Sequence, residues 1–258
     1  MITVTAHQLN AAIGSVFWPF VRIGSCFMVA PVFGSMSVPV QLRIVLAGAI
    51  ALLVAPLIPQ PIGVTPLSAA GVLITVQQVI IGVALGFCLR ILFTAVSLGG
   101  QLIANSMGLS MAFNVDPLEG ESTPALGQLY TVLVTLIFLL LNGDLALLRI
   151  LVDGFRTLPI GVSGLGGQGL WTVVSWGSAL FAGALAVALP GVTALLVTNL
   201  AFGVMSRAAP AMNLFAVGLP ITLVFGLLVI IAGLPALESG FTRLLGETFL
   251  LLRHLSGA

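Results

Sequence analysis

Between Leu170 and Ser206 the chain carries no charged side chain, and Pro190 and Gly191 in its middle either divide it into two helices or kink one. A helical run of that length and composition has no polar face to offer water. It needs a bilayer, or an equally apolar protein surround, as its solvent. Similar apolar runs recur at residues 11–33, 43–58, 67–98, 125–141 and 212–234. Composition agrees with them: 59% of residues are hydrophobic and 6% charged, where a soluble domain has about a quarter of its residues charged. All 8 basic residues are Arg, none is Lys, and the net charge is +1, which leaves no basic surface for nucleic acid.

Polar interruptions organise the rest. The N-terminal MITVTAHQLN lacks the positive region of a secretory signal, so the first apolar run is expected to stay in the chain. Arg22 sits inside that run beside Pro19, where a charge costs about 3 kcal/mol unless it finds a partner or water; it either snorkels at a helix end or contacts a neighbouring subunit. Pro59, Pro61 and Pro66 stop the second run. Gln77, Gln78 and Arg90 within 67–98 mark a helix that faces protein along much of its length. From Asn142 to Gly161, charges at Asp144, Arg149, Asp153 and Arg156 oppose an apolar face of Leu145, Leu148, Leu151, Val152 and Phe155, an amphipathic helix ending at Pro159. A glycine-rich loop follows at 161–169, and a polar break at Arg207–Pro210 precedes the last run, which contains Gly218 and Pro220. The tail places Leu237, Phe241, Leu244, Leu245, Phe249 and Leu252 on one face, suited to docking on a partner or the membrane interface. Cys26 and Cys88 lie in apolar stretches and read as small hydrophobes. The fold class is therefore all-α, an integral-membrane type of subunit with six or seven broken apolar helices in a single domain.

One stretch differs from everything around it. GGQLIANSMGLSMAFNVDPLEGESTP, residues 99–124, begins apolar, carries Met107, Met111 and Phe113 among small residues, turns polar at Asn114 and ends in the acidic cluster Asp116, Glu119 and Glu121. The Met and Phe residues are either an ordinary helical core face or a soft, rearrangeable lining, and a moving part of the chain belongs here. Catalytic chemistry has few placed groups. His7 and His254 are near opposite ends of the chain, no His or Cys pair has metal-ligand spacing, and Gly99–Gly100 lacks the Lys and Ser/Thr of a phosphate loop. No cofactor and no enzymatic activity are expected, and an intramembrane enzyme ranks a distant third. A self-contained transporter of small solutes would use Gln77, Gln78, Arg90, Asn105 and Asn199, but acidic residues inside the apolar runs, the usual coupling device, are missing. A passive or assembled conduit fits better.

Four stretches together resemble the FliR family of flagellar type III export-gate proteins, called SctT in injectisomes: GQLIANSMGLSMAFNVDP at 100–117, FLLLNG at 138–143, TLPIG at 157–161 and NLAFGVMSRAAPAMNLFAVGLP at 199–220. The last is the most specific, with Asn199, Gly203, Arg207, Pro210, Asn213, Gly218 and Pro220 falling into place together. One departure is Asp144, where the family pattern has His after Asn142 and Gly143.

The resemblance implies a core subunit of the export gate in the bacterial inner membrane, at the flagellar basal body. It would assemble with several FliP-like and FliQ-like subunits and an FlhB-like switch protein into a helical complex, largely above the bilayer plane, through which unfolded flagellar proteins pass. The part from roughly 1 to 160 would be FliP-like and that from roughly 170 to 258 FliQ-like. Met107, Gly108, Met111, Phe113, Asn114, Asp116 and Pro117 would form a plug in the pore, with energy supplied by partners. Arg22, Gln77, Gln78, Arg90, Asn199 and Arg207 would serve as structural or inter-subunit polar groups; Arg207 either caps a carbonyl or meets solvent, or pairs with a neighbour or an acid around Asp116, the structural role being preferred.

Overall fold

The computed structural model describes residues 6–35, 38–59, 64–109, 125–208 and 214–257. Among these residues the regular elements are all helices: α1 Ala6–Val29, α2 Val40–Val54, α3 Ala69–Ser106, α4 Ala125–Leu140, α5 Gly143–Thr157, α6 Gly167–Ala208 and α7 Leu214–Ser256. Helices α3, α6 and α7 are long and apolar enough to cross a membrane, and α4 with α5 makes a further candidate pair bent by 64°. The apolar parts of α1 and α2 are shorter than a span. The bend falls at Asn142, the non-glycine residue with positive φ (53°) among those described. Asn tolerates the left-handed region better than other side chains, so this residue of the FLLLNG stretch has a geometric reason to be there.

In the last two helices three prolines lie inside elements rather than between them. Helix α6 runs through Pro190, and α7 runs through both Pro220 and Pro235, so the last apolar run and the amphipathic tail form one helix. A proline removes one internal hydrogen bond, whereas ending a helix exposes about four N–H and four C=O groups. Where no water can satisfy those groups, continuing through the proline is the cheaper solution.

The chain divides into two compact units: Met1–Ile91 with Leu139–Gly177 and Gly246–Ala258, and Leu92–Phe138 with Ser178–Leu245. In the first unit α1 and α3 run parallel. Trp18 Nε1 donates to Thr75 Oγ1 at 3.2 Å, and further along a Cβ on Gly86 would come within 2.7 Å of Cys26 O. A Cβ on Gly82 would overlap Arg22 O and Ser25 Oγ. Gly82 and Gly86 thus form a GxxxG face that brings two backbones together, the packing device of helices that gain no hydrophobic drive from a lipid surround. Trp18, Phe27, Ile74 and Phe155 fill the core of this unit, and both Cys26 and Cys88 are buried free thiols.

The amphipathic helix α5 forms where expected, but its buried stripe is Leu147, Ile150, Leu151, Gly154 and Phe155. Leu145, assigned above to the apolar face, is 58% exposed. Its C-terminal end is held by the end of α7: Thr157 Oγ1 donates to Ser256 O, and Gly257, at φ +70°, lies against Thr157. The tail face of α7 is buried in the chain itself, with Leu237, Phe241, Leu245 and Leu252 in the core.

In the second unit α3 meets a different neighbour on each side. Gly99 faces Val187 of α6 and Gly100 faces Tyr130 of α4, while Gly183 and Gly191 of α6 approach Ala95 and Ile103. The successive pairs 95/183, 99/187 and 103/191 show α6 running parallel to α3. Phe93 packs edge-on against both Phe138 and Phe241. Two-thirds of the apolar window of α3 (67%) is buried against 28% for α6 and 22% for α7, so the helix carrying Gln77 and Gln78 is the interior one.

Candidate functional site

Arg22 is 1% exposed, and the acceptors around it are neutral. Its Nε donates to Gln78 Oε1 at 2.7 Å, one terminal nitrogen to Gly154 O at 3.1 Å, and the other to Leu158 O at 2.9 Å. The guanidinium carbon stands 4.1 Å from the centre of the Phe155 ring. Gly154 and Leu158 are the last turn and C-cap of α5, so the cation sits on the negative end of that helix dipole and caps its carbonyls. A planar fork can serve this divergent set and stack on an aromatic face; a point-like ammonium cannot do both. Gln78 is fully buried and its oxygen faces Arg22, which leaves its Nε2 without a partner. Gln77 is half-buried and packs on the glycine-rich loop, where a Cβ at Gly164 would overlap its Oε1.

A second anchored site lies at the end of α3. Gly108 takes φ +81°, its N–H donates to Asn105 O at 3.1 Å, and Leu109 N–H donates to Ala104 O at 3.2 Å. That pair of bonds is a Schellman motif, which requires a residue at ease in the left-handed region. Asn199 of α6 reaches the same end, its Nδ2 donating to Ser106 O at 3.2 Å. Met107 is 2% exposed and fills the space beside Gly226, where a Cβ would come within 2.5 Å of Met107 Cε. Helix α4 returns antiparallel along α3, with Gly127 against Ser97 and Gln101 and Leu126 against Gly100. The stems that precede and follow residues 110–124 are therefore both fixed in the second unit. Met111, Phe113, Asn114, Asp116 and Pro117 lie outside the described residues.

Arg90 and Arg207 are exposed. Of the polar set named for solute transport, Gln77 and Gln78 belong to the first unit and Asn105 and Asn199 to the second, and none of them lines either described cavity. Among the described residues no group of three His, Cys, Asp or Glu side chains is placed to hold a metal ion. Sequence reasoning missed the glycines as packing positions, although the GxxxG spacing at 82–86 is visible in the chain. It also missed two of the three acceptors of Arg22, which come from a helix end more than a hundred residues away and leave no local pattern.

The stretches that carried the family resemblance coincide with these anchors. Asn142 makes the α4–α5 bend, Thr157 and Leu158 bind the C-terminal turn and Arg22, and Asn199 caps α3. Comparison with known proteins agrees over nearly the whole chain. Residues 13–248 match the family described as bacterial export proteins, family 1. The flagellar biosynthetic protein FliR of Escherichia coli (strain K12) is 37% identical over 255 residues, covering 99% of this chain and 97% of that protein. FliR of Pectobacterium carotovorum is 36% identical with 99% and 97% covered, and FliR of Bacillus subtilis is 27% identical over 215 residues with 82% and 83% covered. An all-α chain whose motif residues hold its helix ends, and which matches the family over residues 13–248, is a member of bacterial export protein family 1, the FliR family.

Proposed function

We propose that the chain is a non-enzymatic core subunit of the flagellar export gate in the bacterial inner membrane, at the basal body, and forms part of the conduit for unfolded flagellar proteins. The observation that carries this reading is the near end-to-end similarity to FliR proteins. The expected partners are FliP-like and FliQ-like subunits and an FlhB-like switch protein. The long α6–α7 pair supports a FliQ-like C-terminal part, and the preceding helices a FliP-like one. Large exposed apolar faces on α6 and α7, including Phe181, Leu196, Leu200 and Ile231, support burial against lipid or neighbouring subunits.

The plug belongs to the same proposal. Met111 to Pro117 would hang from the anchored end of α3, with Met107 and Gly108 as the fixed stem. Met and Phe side chains suit a seal that opens around a passing chain, because they fill space without a unique geometry. Two experiments test the two levels separately. Co-expression with FliP-like and FliQ-like proteins, followed by native mass spectrometry in mild detergent, should yield a complex holding one copy of this chain; a folded monomer without partners would refute the gate reading. Deleting residues 111–117 should raise ion leak across the inner membrane of cells carrying the assembled gate, and unchanged leak would sink the plug.

A further inference from the structure

The two helices that lead into and out of residues 110–124 share a polar face in the second unit, and glycines set how they meet. Leu126 and Tyr130 of α4 lie against Gly100, while Gly127 lies against Ser97 and Gln101, with Ser97 Oγ donating to Gly127 O at 3.3 Å. In this antiparallel pair both sets of contacts turn toward the same side, which is Ser97 and Gln101 on α3 and Gly127 with its next turn, Thr131, on α4. Along α3 that side continues through Thr94, Gln101 and Asn105, spaced by seven and four residues and covering about 17 Å at 1.5 Å per residue. On α4 it takes in Gln128, three residues before Thr131. Thr131 Oγ1 is spent on Gly127 O at 2.9 Å. Thr94, Asn105 and Gln128 are exposed and Gln101 is half-buried, and among the described residues none of these four side chains has a hydrogen-bond partner. The next flank of α4 is apolar, with Leu129, Val132 and Leu136 exposed.

We propose that this polar face of α3 and α4 lines the water-filled path of the conduit and meets the backbone of the passing chain. Lipid is a poor neighbour for it, because amide and hydroxyl groups without partners are expensive in hydrocarbon. A contact with a folded subunit would need a dedicated partner for each of the four side chains. Water and the peptide groups of an unfolded chain supply donors and acceptors at every position instead. No residue of the face is charged, so it neither holds nor repels a segment of either sign. Its place in the fold agrees, since Asn105 and Gln128 lie about one turn from Leu109 and Ala125, the fixed ends of the stretch proposed as the plug.

The assignment rests on the conduit reading above and names one wall of that path. Thr94→Cys, Asn105→Cys and Gln128→Cys would be compared in the assembled gate with Val132→Cys and Leu136→Cys, all at exposed positions, with the buried Cys26 and Cys88 left in place. A charged methanethiosulfonate supplied to both sides of inner-membrane vesicles should modify the polar-face cysteines at least about tenfold faster than the other two. An export substrate with one cysteine in its unfolded segment, stalled by a folded domain at its end, should be joined to Thr94→Cys and Gln128→Cys by a short bismaleimide, and not to Val132→Cys. Equal modification of the two flanks would overturn the proposal, as would cross-linking of Thr94→Cys and Gln128→Cys to another gate subunit in place of the substrate. If the stalled substrate is joined to Met111→Cys but to neither Thr94→Cys nor Gln128→Cys, the conduit stands and this wall does not. If it is joined to none of the three, the conduit reading itself fails, and the proposal with it.

Discussion

Replacing Arg22 by Met keeps the length and most of the volume of a fully buried side chain while removing three hydrogen bonds. The consequence differs among the three acceptors. Gly154 O still accepts from Leu158 N–H at 2.9 Å, so it stays satisfied. Gln78 Oε1 and Leu158 O lose the donor that Arg22 supplied. Orphaning the buried Gln78 Oε1 costs about 1–3 kcal/mol, and the half-buried Leu158 O less. Against this, the variant no longer desolvates a charge, which returns part of the loss. A net destabilisation of about 2 kcal/mol follows, or about 4–8 °C in Tm for a chain of this size. Differential scanning fluorimetry of the detergent-solubilised chain, with the intact gate run alongside, is the assay. Arg22→Met combined with Gln78→Met should recover part of the loss, because it removes one orphan together with the Nε2 that is already unpartnered. Arg22→Lys should fall between wild type and Arg22→Met, since it keeps a charge at the α5 terminus but not the fork. If Arg22→Met melts within about 1 kcal/mol of wild type, or the double variant is no better than the single, Arg22 does not hold α5 by these bonds.

Further expectations concern the glycines and caps. Gly82→Val, which forces a side chain into the Arg22 carbonyl, should abolish recovery of folded protein, whereas Gly233→Ala, with open space around it, should purify like wild type. Gly108→Val places a β-branched residue at φ +81° and should cost about 1–2 kcal/mol, read as faster amide exchange over residues 104–109. Asn199→Leu should speed exchange at the same helix end while leaving α5 unchanged, since its Nδ2 bond reaches only Ser106 O. Thr157→Val loses the bond to Ser256 O and should lower stability by about 1 kcal/mol, measured by limited proteolysis of the C-terminal turn.

How far the chain could be read in advance depended on whether the relevant physics is local. Helix placement was legible, because apolar runs of membrane length admit little else, and Gln77 and Gln78 correctly marked α3 as interior. The alternatives at Pro190 stayed open, and the continuation of the last run through Pro235 into the tail was not read, because proline rules reflect aqueous helices, whose freed backbone groups find water. Leu145 was put on the wrong face because the apolar content of α5 spreads over more than one stripe, and only packing selects Leu147, Ile150 and Phe155. At the two anchored sites the residues were singled out but their partners were not. Asn199 and Ser106 lie 93 positions apart, Arg22 and Leu158 136, and no periodicity connects them.

These partners follow from a scarcity in the sequence. No Asp or Glu precedes Asp116, yet three arginines do, so cations in the first part of the chain have no nearby carboxylate in sequence. Arg22 is made tolerable by a helix terminus, an amide and an aromatic face, all fixed dipoles or quadrupoles that need no titration. The same economy governs α3, which meets its neighbours through glycine and closes with a Schellman motif. Helices held this way resist rearrangement, because shifting one by a residue would drive side chains into backbone and strip acceptors that no water can reach. A conduit of the kind proposed above must nevertheless open for a passing chain. In the plug proposed above, Leu109 and Ala125 are the fixed ends, so opening would fall on what lies between them, Met111, Phe113 and the acidic cluster, and not on the helices that carry them.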